Sequence, residues 1–254
     1  MIRQMIQNIQ KGILHMETIN PQEWKKDLPA FKEKTDRFYA GELSKADYKG
    51  FSGGYGSYAQ KDGKASMIRL RMSGGHLTKD KLKFIADSIK TYNIDKVHLT
   101  TCQAIQLHNL QPEAIYGIME GGLDHGIVTM GGGGDFPRNV TVSPLSGVQK
   151  GEYFNVLPYA EAAGEYLMTF IKKEVMPRKL KVGFSNGPAN ETHATFRDLG
   201  FVAREDGNFD VYSAGGLGNN ARFGLKVAEN VKPEKILYYI CAMRETFIAH
   251  GNYK

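Results

Sequence analysis

Five cations are spaced so that they could act together on an anion. Arg69 and Arg71 stand two residues apart in an apolar run, and Lys179 and Lys181 repeat that spacing further along. In extended backbone alternate side chains point the same way, so each pair shares one sheet face. Long cations side by side repel. A pair turned into a cleft calls for an anion, whereas a pair turned to water is a solvated strand face. Arg138, followed by Asn139, comes just after four consecutive glycines at 131–134, and ligand sites favour junctions of that kind. Other chemistries find less support. Neither that run nor the glycines at 215, 216 and 218 fits G-x-G-x-x-G between a strand and a helix, with an acidic residue downstream. No G-x-S-x-G elbow is present. The seven histidines show no ligand spacing, and His98 and His108 read as surface positions on a strand. Cys102 and Cys241 are the two cysteines. They are too few for a disulfide framework, and alone they cannot hold an iron–sulfur cluster or a structural zinc, which take about four ligands. No metal site is therefore expected in this chain.

The chain that must position these residues has 254 of them, enough for one large domain or two small ones. Hydrophobic residues make up 41% and charged residues 24%, which excludes disordered and collagen-like classes. No apolar run approaches the ~20 residues of a membrane-spanning helix. The first fifteen residues lack a cleavage site and an unbroken apolar stretch, so a cytoplasmic protein is expected. Thirty-three basic residues against 27 acidic ones give a net charge of +6, which permits acidic partners or anionic ligands without naming one. The 29 glycines imply tight turns and close backbone approaches.

Residues 1–48 read as a helical or irregular N-terminal extension, with Trp24, Leu28, Phe31 and Phe38 spaced so that some share a helix face. The stretch from Phe51 to Lys64 reads as loop. A strand is predicted over 67–72, closed by Gly74 and Gly75. Thr78 is placed to cap a helix running to Tyr92, with Leu82, Ile85 and Ile89 inward. Residues 97–107 alternate with period two, putting Val97, Leu99, Thr101, Ile105 and Leu107 on one face, and their length implies a hairpin near 102–104. Pro112 opens a second helix, with Ile115, Ile118 and Met119 inward and Gly121 and Gly122 as its stop. A short strand follows over 126–130. This βαββαβ order is the ferredoxin-like split βαβ unit. The four glycines then read as a flexible joint and domain boundary. Beyond them a helix is predicted over 158–174, with Tyr159, Ala163, Tyr166, Phe170 and Ile171 as its stripe, ended by Pro177. Strands are predicted over 179–185, 200–204 and 209–214. A last helix starts at Pro233, with Ile236, Tyr239, Ile240, Met243 and Phe247 inward and Gly251 as its cap. The fold class expected is α+β: a ferredoxin-like half-domain at 49–130, then an α/β domain at 131–254.

Five stretches stand in order along the chain: SMIRLRMSGG (66–75), TTCQAIQ (100–106), RNVTVSPLSG (138–147), PRKLKVG (177–183) and FDVYSAGGLG (209–218). Together they resemble the siroheme-dependent assimilatory sulfite and nitrite reductases, from about Tyr48 to the C-terminus. The resemblance implies a six-electron reduction of sulfite to sulfide or of nitrite to ammonia. It also implies a fold in which a ferredoxin-like half-domain and a siroheme-binding α/β domain occur twice. On this reading 131–254 is the first siroheme-binding domain, and four basic side chains of the first copy hold the anion over the siroheme iron. By motif these are Arg69, Arg138, Lys179 and Lys181. Burying the carboxylates of siroheme together with an oxyanion demands cations. Arginine suits an oxyanion because its fork donates parallel hydrogen bonds, and lysine, whose pKa responds to its surroundings, suits proton delivery. Cofactor contacts are implied for Arg71, Thr100, Thr101, Gln103, Gln106 and Asn139. For the two glutamines, ordinary strand-surface amides are an equal reading. Several family members carry arginine where this chain has Cys102, so one carboxylate contact is weakened here.

The family's cluster ligands, four cysteines in two close pairs, belong to the second copy. The resemblance thus implies an N-terminal portion of a reductase, completed by a C-terminal half. Alone, this portion is expected to lack the 4Fe–4S cluster, to bind siroheme weakly or not at all, and to be inactive. The lysine pair resembles the sulfite-reducing members. A ferredoxin or a flavoprotein is the implied electron donor. One rival is a non-catalytic siroheme- or tetrapyrrole-binding module. Another is a basic RNA-binding sheet, which would want aromatics on the central strands, where Arg69, Arg71, Thr101 and Gln103 stand instead.

Overall fold

The computed structural model describes residues 20–171 and 173–253; the expectation for the first nineteen residues lies outside them. The chain divides into two compact units. One runs over Ile19–Met72 and His76–Phe136, and the other takes in Ser73–Gly75 and Pro137–Lys254.

The first unit opens with helices α1 (Pro21–Lys25), α2 (Leu28–Tyr39) and α3 (Lys45–Ser52). Strands β1 (Ser57–Ala59), β2 (Ser66–Leu70), β3 (Val97–Leu99) and β4 (Ile105–Leu110) make an antiparallel sheet in the order β1-β2-β4-β3. Helices α4 (Lys79–Thr91) and α5 (Pro112–Asp124) complete the unit. The alternation of the strands decides which face carries what. Ile68, Leu70, Ile105 and Leu107 are buried with Phe31 of α2, Ile85 of α4, and Ile115, Ile118 and Met119 of α5. Between these apolar rows runs a polar one, Arg69 opposite Gln106 and Gln106 opposite His98, on the face away from the helices. The hairpin forms as its period-two pattern predicts. Val97 and Leu99 pair with Leu107 and Ile105 but, on the edge strand, remain exposed. Thr78 caps α4 by accepting from the Lys81 amide at 3.3 Å, although Leu82 on that helix is exposed.

Four local expectations change. The stretch read as loop after Phe51 holds the end of α3 and all of β1. Because β1 fills the slot beside the first half of β2, the 126–130 segment finds room only at its end. It makes a single bridge, Val128 to Arg71, in place of a full strand. Gly121 and Gly122 do not stop α5, which continues to Asp124. They are contact glycines: a Cβ on Gly121 would come 2.9 Å from the Phe84 ring, and one on Gly117 would come 1.9 Å from the Tyr92 hydroxyl. The four glycines at 131–134 are packed rather than open. The Tyr58 hydroxyl accepts from the Gly134 amide at 2.7 Å, and a Cβ on Gly133 would fall 2.1 Å from that oxygen.

The second unit is built on a five-stranded sheet in the order β5-β6-β7-β8-β9. Its strands are β5 (Thr141–Val142), β6 (Val182–Ser185), β7 (Leu199–Ala203), β8 (Phe209–Ser213) and β9 (Leu225–Val231). The first three run parallel and the last three antiparallel. Helices α6 (Leu157–Met168) and α7 (Ile236–His250) bury Tyr159, Ala163, Tyr166, Ile236 and Ile240 with Val182, Phe184, Phe201 and Phe209. α6 is shorter than its stripe suggested. The Thr169 hydroxyl donates to the Tyr166 carbonyl at 2.7 Å, satisfying one of the open acceptors at the helix end. β9 escapes sequence reading because most of its residues are exposed on an edge. Among the described residues, no helix is long and apolar enough to cross a membrane.

The packed glycines give a stability test. Gly133→Ala is expected to cost ~1–3 kcal/mol by forcing Tyr58 aside. Gly50→Ala, in α3 with nothing within 4 Å of the added Cβ, should stabilise by ~0.5–1 kcal/mol. Equilibrium denaturation in urea reads both.

Candidate anion-binding site

In the first unit Arg69 is fixed by neutral acceptors. One terminal nitrogen of its guanidinium, Nη1, donates to the Gly132 carbonyl. In the orientation that satisfies the whole Gln106 amide, the amide oxygen accepts from Arg69 Nε at 3.1 Å and from Nη2 at 2.7 Å. Neither acceptor carries charge, so the arginine is oriented without being neutralised. Gln106 is therefore no free surface amide; it is buried at 8% exposure. Arg71 is buried too, and its Nη1 donates to the Met130 carbonyl at 3.0 Å. Thr100, Thr101, Cys102 and Gln103 form the turn between β3 and β4. The Thr100 hydroxyl accepts from the Ala104 amide at 3.1 Å, and Gln103 adopts the left-handed conformation at φ 54°. Thr101 is exposed at the turn's tip.

In the second unit Lys179 and Lys181 flank Leu180, just ahead of β6. Leu180 is buried and bridges in parallel to Pro137, so the two lysines emerge on one side of a pinned strand. One residue past that bridge, the Arg138 amide donates to the Leu180 carbonyl at 2.8 Å, setting the Arg138 backbone beside Leu180. Asn139, next in line, is buried. The Arg138 backbone thus lies next to the lysine segment at one end of two parallel strands, and Arg69 belongs to the first unit.

A cleft of about 470 Å³ opens there, lined by Arg178, Lys179, Lys181, Phe196, Arg197, Asp198, Gly216 to Gly218 and Phe247. Arg178, Arg197 and Asp198 were not singled out by sequence. Arg178 lies inside the 177–183 stretch and could have been, whereas the Arg197–Asp198 pair carries no motif or spacing. Arg197 donates to the Thr192 carbonyl from Nε at 3.1 Å and from Nη2 at 2.9 Å, again a neutral acceptor. Asp198 is the cleft's acid. Its carboxylate accepts from the Lys181 amide at 2.6 Å, tying the end of β7 to the lysine segment. Burial pushes its pKa up, against the Lys181 hydrogen bond and the charges of Lys181, Arg197 and Lys179. The cleft's cations therefore face an acid that burial biases towards its neutral form. Such a cleft can take an oxyanion or a carboxylate-rich ligand. A cluster is another matter. Cys102 and Cys241 fall in separate units, and among the described residues no three His, Cys, Asp or Glu side chains converge as metal ligands. The residues present do not fit a 4Fe–4S cluster.

Residues 58–122 match the family described as "Nitrite/Sulfite reductase ferredoxin-like half domain", and residues 133–254 match "Nitrite and sulphite reductase 4Fe-4S domain". A ferredoxin–nitrite reductase of Synechococcus elongatus is 30% identical over 160 residues, which is 59% of this chain and 31% of that protein. An assimilatory ferredoxin-dependent nitrite reductase of Haloferax mediterranei is 29% identical over 219 residues, 78% of this chain and 37% of that one. A sulfite reductase [NADPH] hemoprotein beta-component of Acidithiobacillus ferrooxidans is 28% identical over 180 residues, 61% of this chain and 32% of that protein. Among solved structures, the NirA protein of Mycobacterium tuberculosis superposes with a TM-score of 0.70 at 22% identity, over 93% of this chain and 48% of that one. The chain spans about a third of the length of the curated relatives it matches. It belongs to the nitrite and sulfite reductase family, whose members depend on siroheme and a 4Fe–4S cluster.

The raised pKa of Asp198 sets a sign for stability. The fold binds the Asp198 proton more tightly than the unfolded chain does, so this group's contribution falls as pH climbs above the ordinary aspartate value of 3.8. Asp198→Asn, which keeps an oxygen for the Lys181 amide, is expected to gain stability relative to the parent across that rise. Urea denaturation of both proteins over a pH series reads the difference.

Proposed function

We propose that this chain forms the anion-binding part of a siroheme-dependent reductase acting on sulfite or nitrite. The observation that carries the reading is the basic cleft ahead of β6, where Lys179 and Lys181 stand with Arg178 and Arg197 around one pocket. In this reading Arg69 and Arg138 bind the oxyanion through guanidinium hydrogen bonds. Lys179 and Lys181 bind it and also donate protons from Nζ. Each oxygen leaving the anion as water takes two protons, and the exposure of Lys179 lets its ammonium be replenished from solvent. Lysine at both positions favours sulfite over nitrite.

Siroheme, when bound, would supply the iron at which electrons reach the anion. Arg71, Thr100, Thr101, Gln103 and Asn139 are proposed to hold its carboxylates, and Gln106 to support them through Arg69. Two cysteines are too few to ligate the cluster, which we assign to a partner half of the reductase. An electron donor of the ferredoxin or flavoprotein class would deliver to that half. The proposed setting is cytoplasmic.

The test is Lys179→Met in the complete reductase. A drop in kcat/KM of about 10- to 100-fold, as expected for losing one charge-assisted hydrogen bond, should come with a changed pH profile. Unchanged turnover and pH profile would refute the role. The chain expressed alone should show no strong Soret band with stoichiometric iron; finding one would show that the partner half is dispensable for siroheme. A non-catalytic tetrapyrrole-binding module would bind the cofactor when completed and reduce neither anion.

A further inference from the structure

The polar row on the open face of the first unit's sheet does more than carry Arg69. An amide has one accepting end and one donating end. At Gln106 the accepting end is demanded by Arg69, because Nε and Nη2 of the arginine, both donors, lie 3.1 and 2.7 Å from it. The donating end then faces His108 Nε2 at 3.3 Å. His108 must accept there, so its ring is neutral and its proton sits on Nδ1.

We propose that Gln106 and His108 are positioning residues for Arg69, the state of the His108 ring deciding whether the arginine fork is held. The inference rests on Arg69 being an anion-binding cation. A protonated His108 would become a donor at Nε2. The amide oxygen would then turn to the imidazolium and present its NH2 to the arginine, donor against donor. Arg69 would keep only the Gly132 carbonyl and its fork would be released. The surroundings of His108 favour the neutral ring. Burial, Lys96 and His98 all hold its pKa below the ordinary value, and Asp95 opposes them more weakly. Asp95 is itself occupied, accepting from Asn109 Nδ2 at 2.8 Å. The ring of His98 lies near-parallel to that of His108, 6.4 Å away, so the two imidazoles discourage each other's protonation.

Nitrogen-15 NMR of the full chain tests this without turnover. Neutral His108 should show an unprotonated Nε2 and a protonated Nδ1. As pH falls, the Arg69 Nε–H resonance should shift with the midpoint of His108. In Gln106→Leu the Arg69 signal should no longer follow the histidine. In Gln106→Glu, whose carboxylate accepts from both neighbours, the His108 midpoint should rise by about one unit or more. A neutral His108 protonated on Nε2 overturns the proposal, as does an Arg69 signal indifferent to the His108 titration in the unsubstituted chain. Both measurements need only that chain, so they stand even if a variant fails to fold. Adding sulfite or nitrite to the labelled chain within the complete, siroheme-loaded reductase tests the anion-binding reading separately: an Arg69 signal that follows His108 but ignores either anion there would leave the clamp standing and refute that reading.

Discussion

A cation can serve an anionic ligand only if something holds it in place without cancelling its charge. Arg69 meets that constraint through the Gly132 carbonyl and the Gln106 amide oxygen, and Arg197 meets it through the Thr192 carbonyl. Elsewhere cations are held differently. Lys25 pairs with Asp124, Arg204 with Asp206 and Asp210, and the buried Arg244 with Glu174 and Glu245. Those pairs orient a side chain by neutralising it. At Arg69 and Arg197, orientation comes from backbone and amide oxygens, which carry no charge of their own.

The supporting structure follows from that need. A carbonyl is aimed at a guanidinium by the packing of the loop that bears it, and the loop of four glycines is crowded. Tyr58 presses on it and hydrogen-bonds it, and any side chain on Gly133 would collide with that tyrosine. β1 exists to bring Tyr58 there, at the cost of the strand expected over 126–130. In the second unit the equivalent device is the buried Leu180, whose bridge to Pro137 pins the lysines on either side of it. Asp198 adds a second tie to the same segment.

Much of this was legible in the residues. The α4 cap at Thr78 and the β3–β4 hairpin followed from local rules of capping and periodicity. What stayed hidden was decided by partners distant in the chain. Gly121 and Gly122 look like a helix stop until Phe84 is seen against them. Gln106 looks like a surface amide until Arg69 and His108 are seen on either side. Asp198 has no motif, and its environment comes from lysines 17 and more residues away. β9 lacks the apolar alternation of a half-buried strand because it lies on an edge. The common cause is that period and propensity report on neighbours in sequence, whereas burial and charge report on neighbours in space.

The glycine loop also bears on how such a unit could be copied or recombined. Arg69 and its carbonyl partner are 63 residues apart in the chain, one inside a strand and the other in what reads as a spacer. A genetic exchange with its crossover before Gly131 would carry away every helix and strand of the first sheet and leave the arginine's anchor behind. The heritable module is thus longer than the secondary structure it contains.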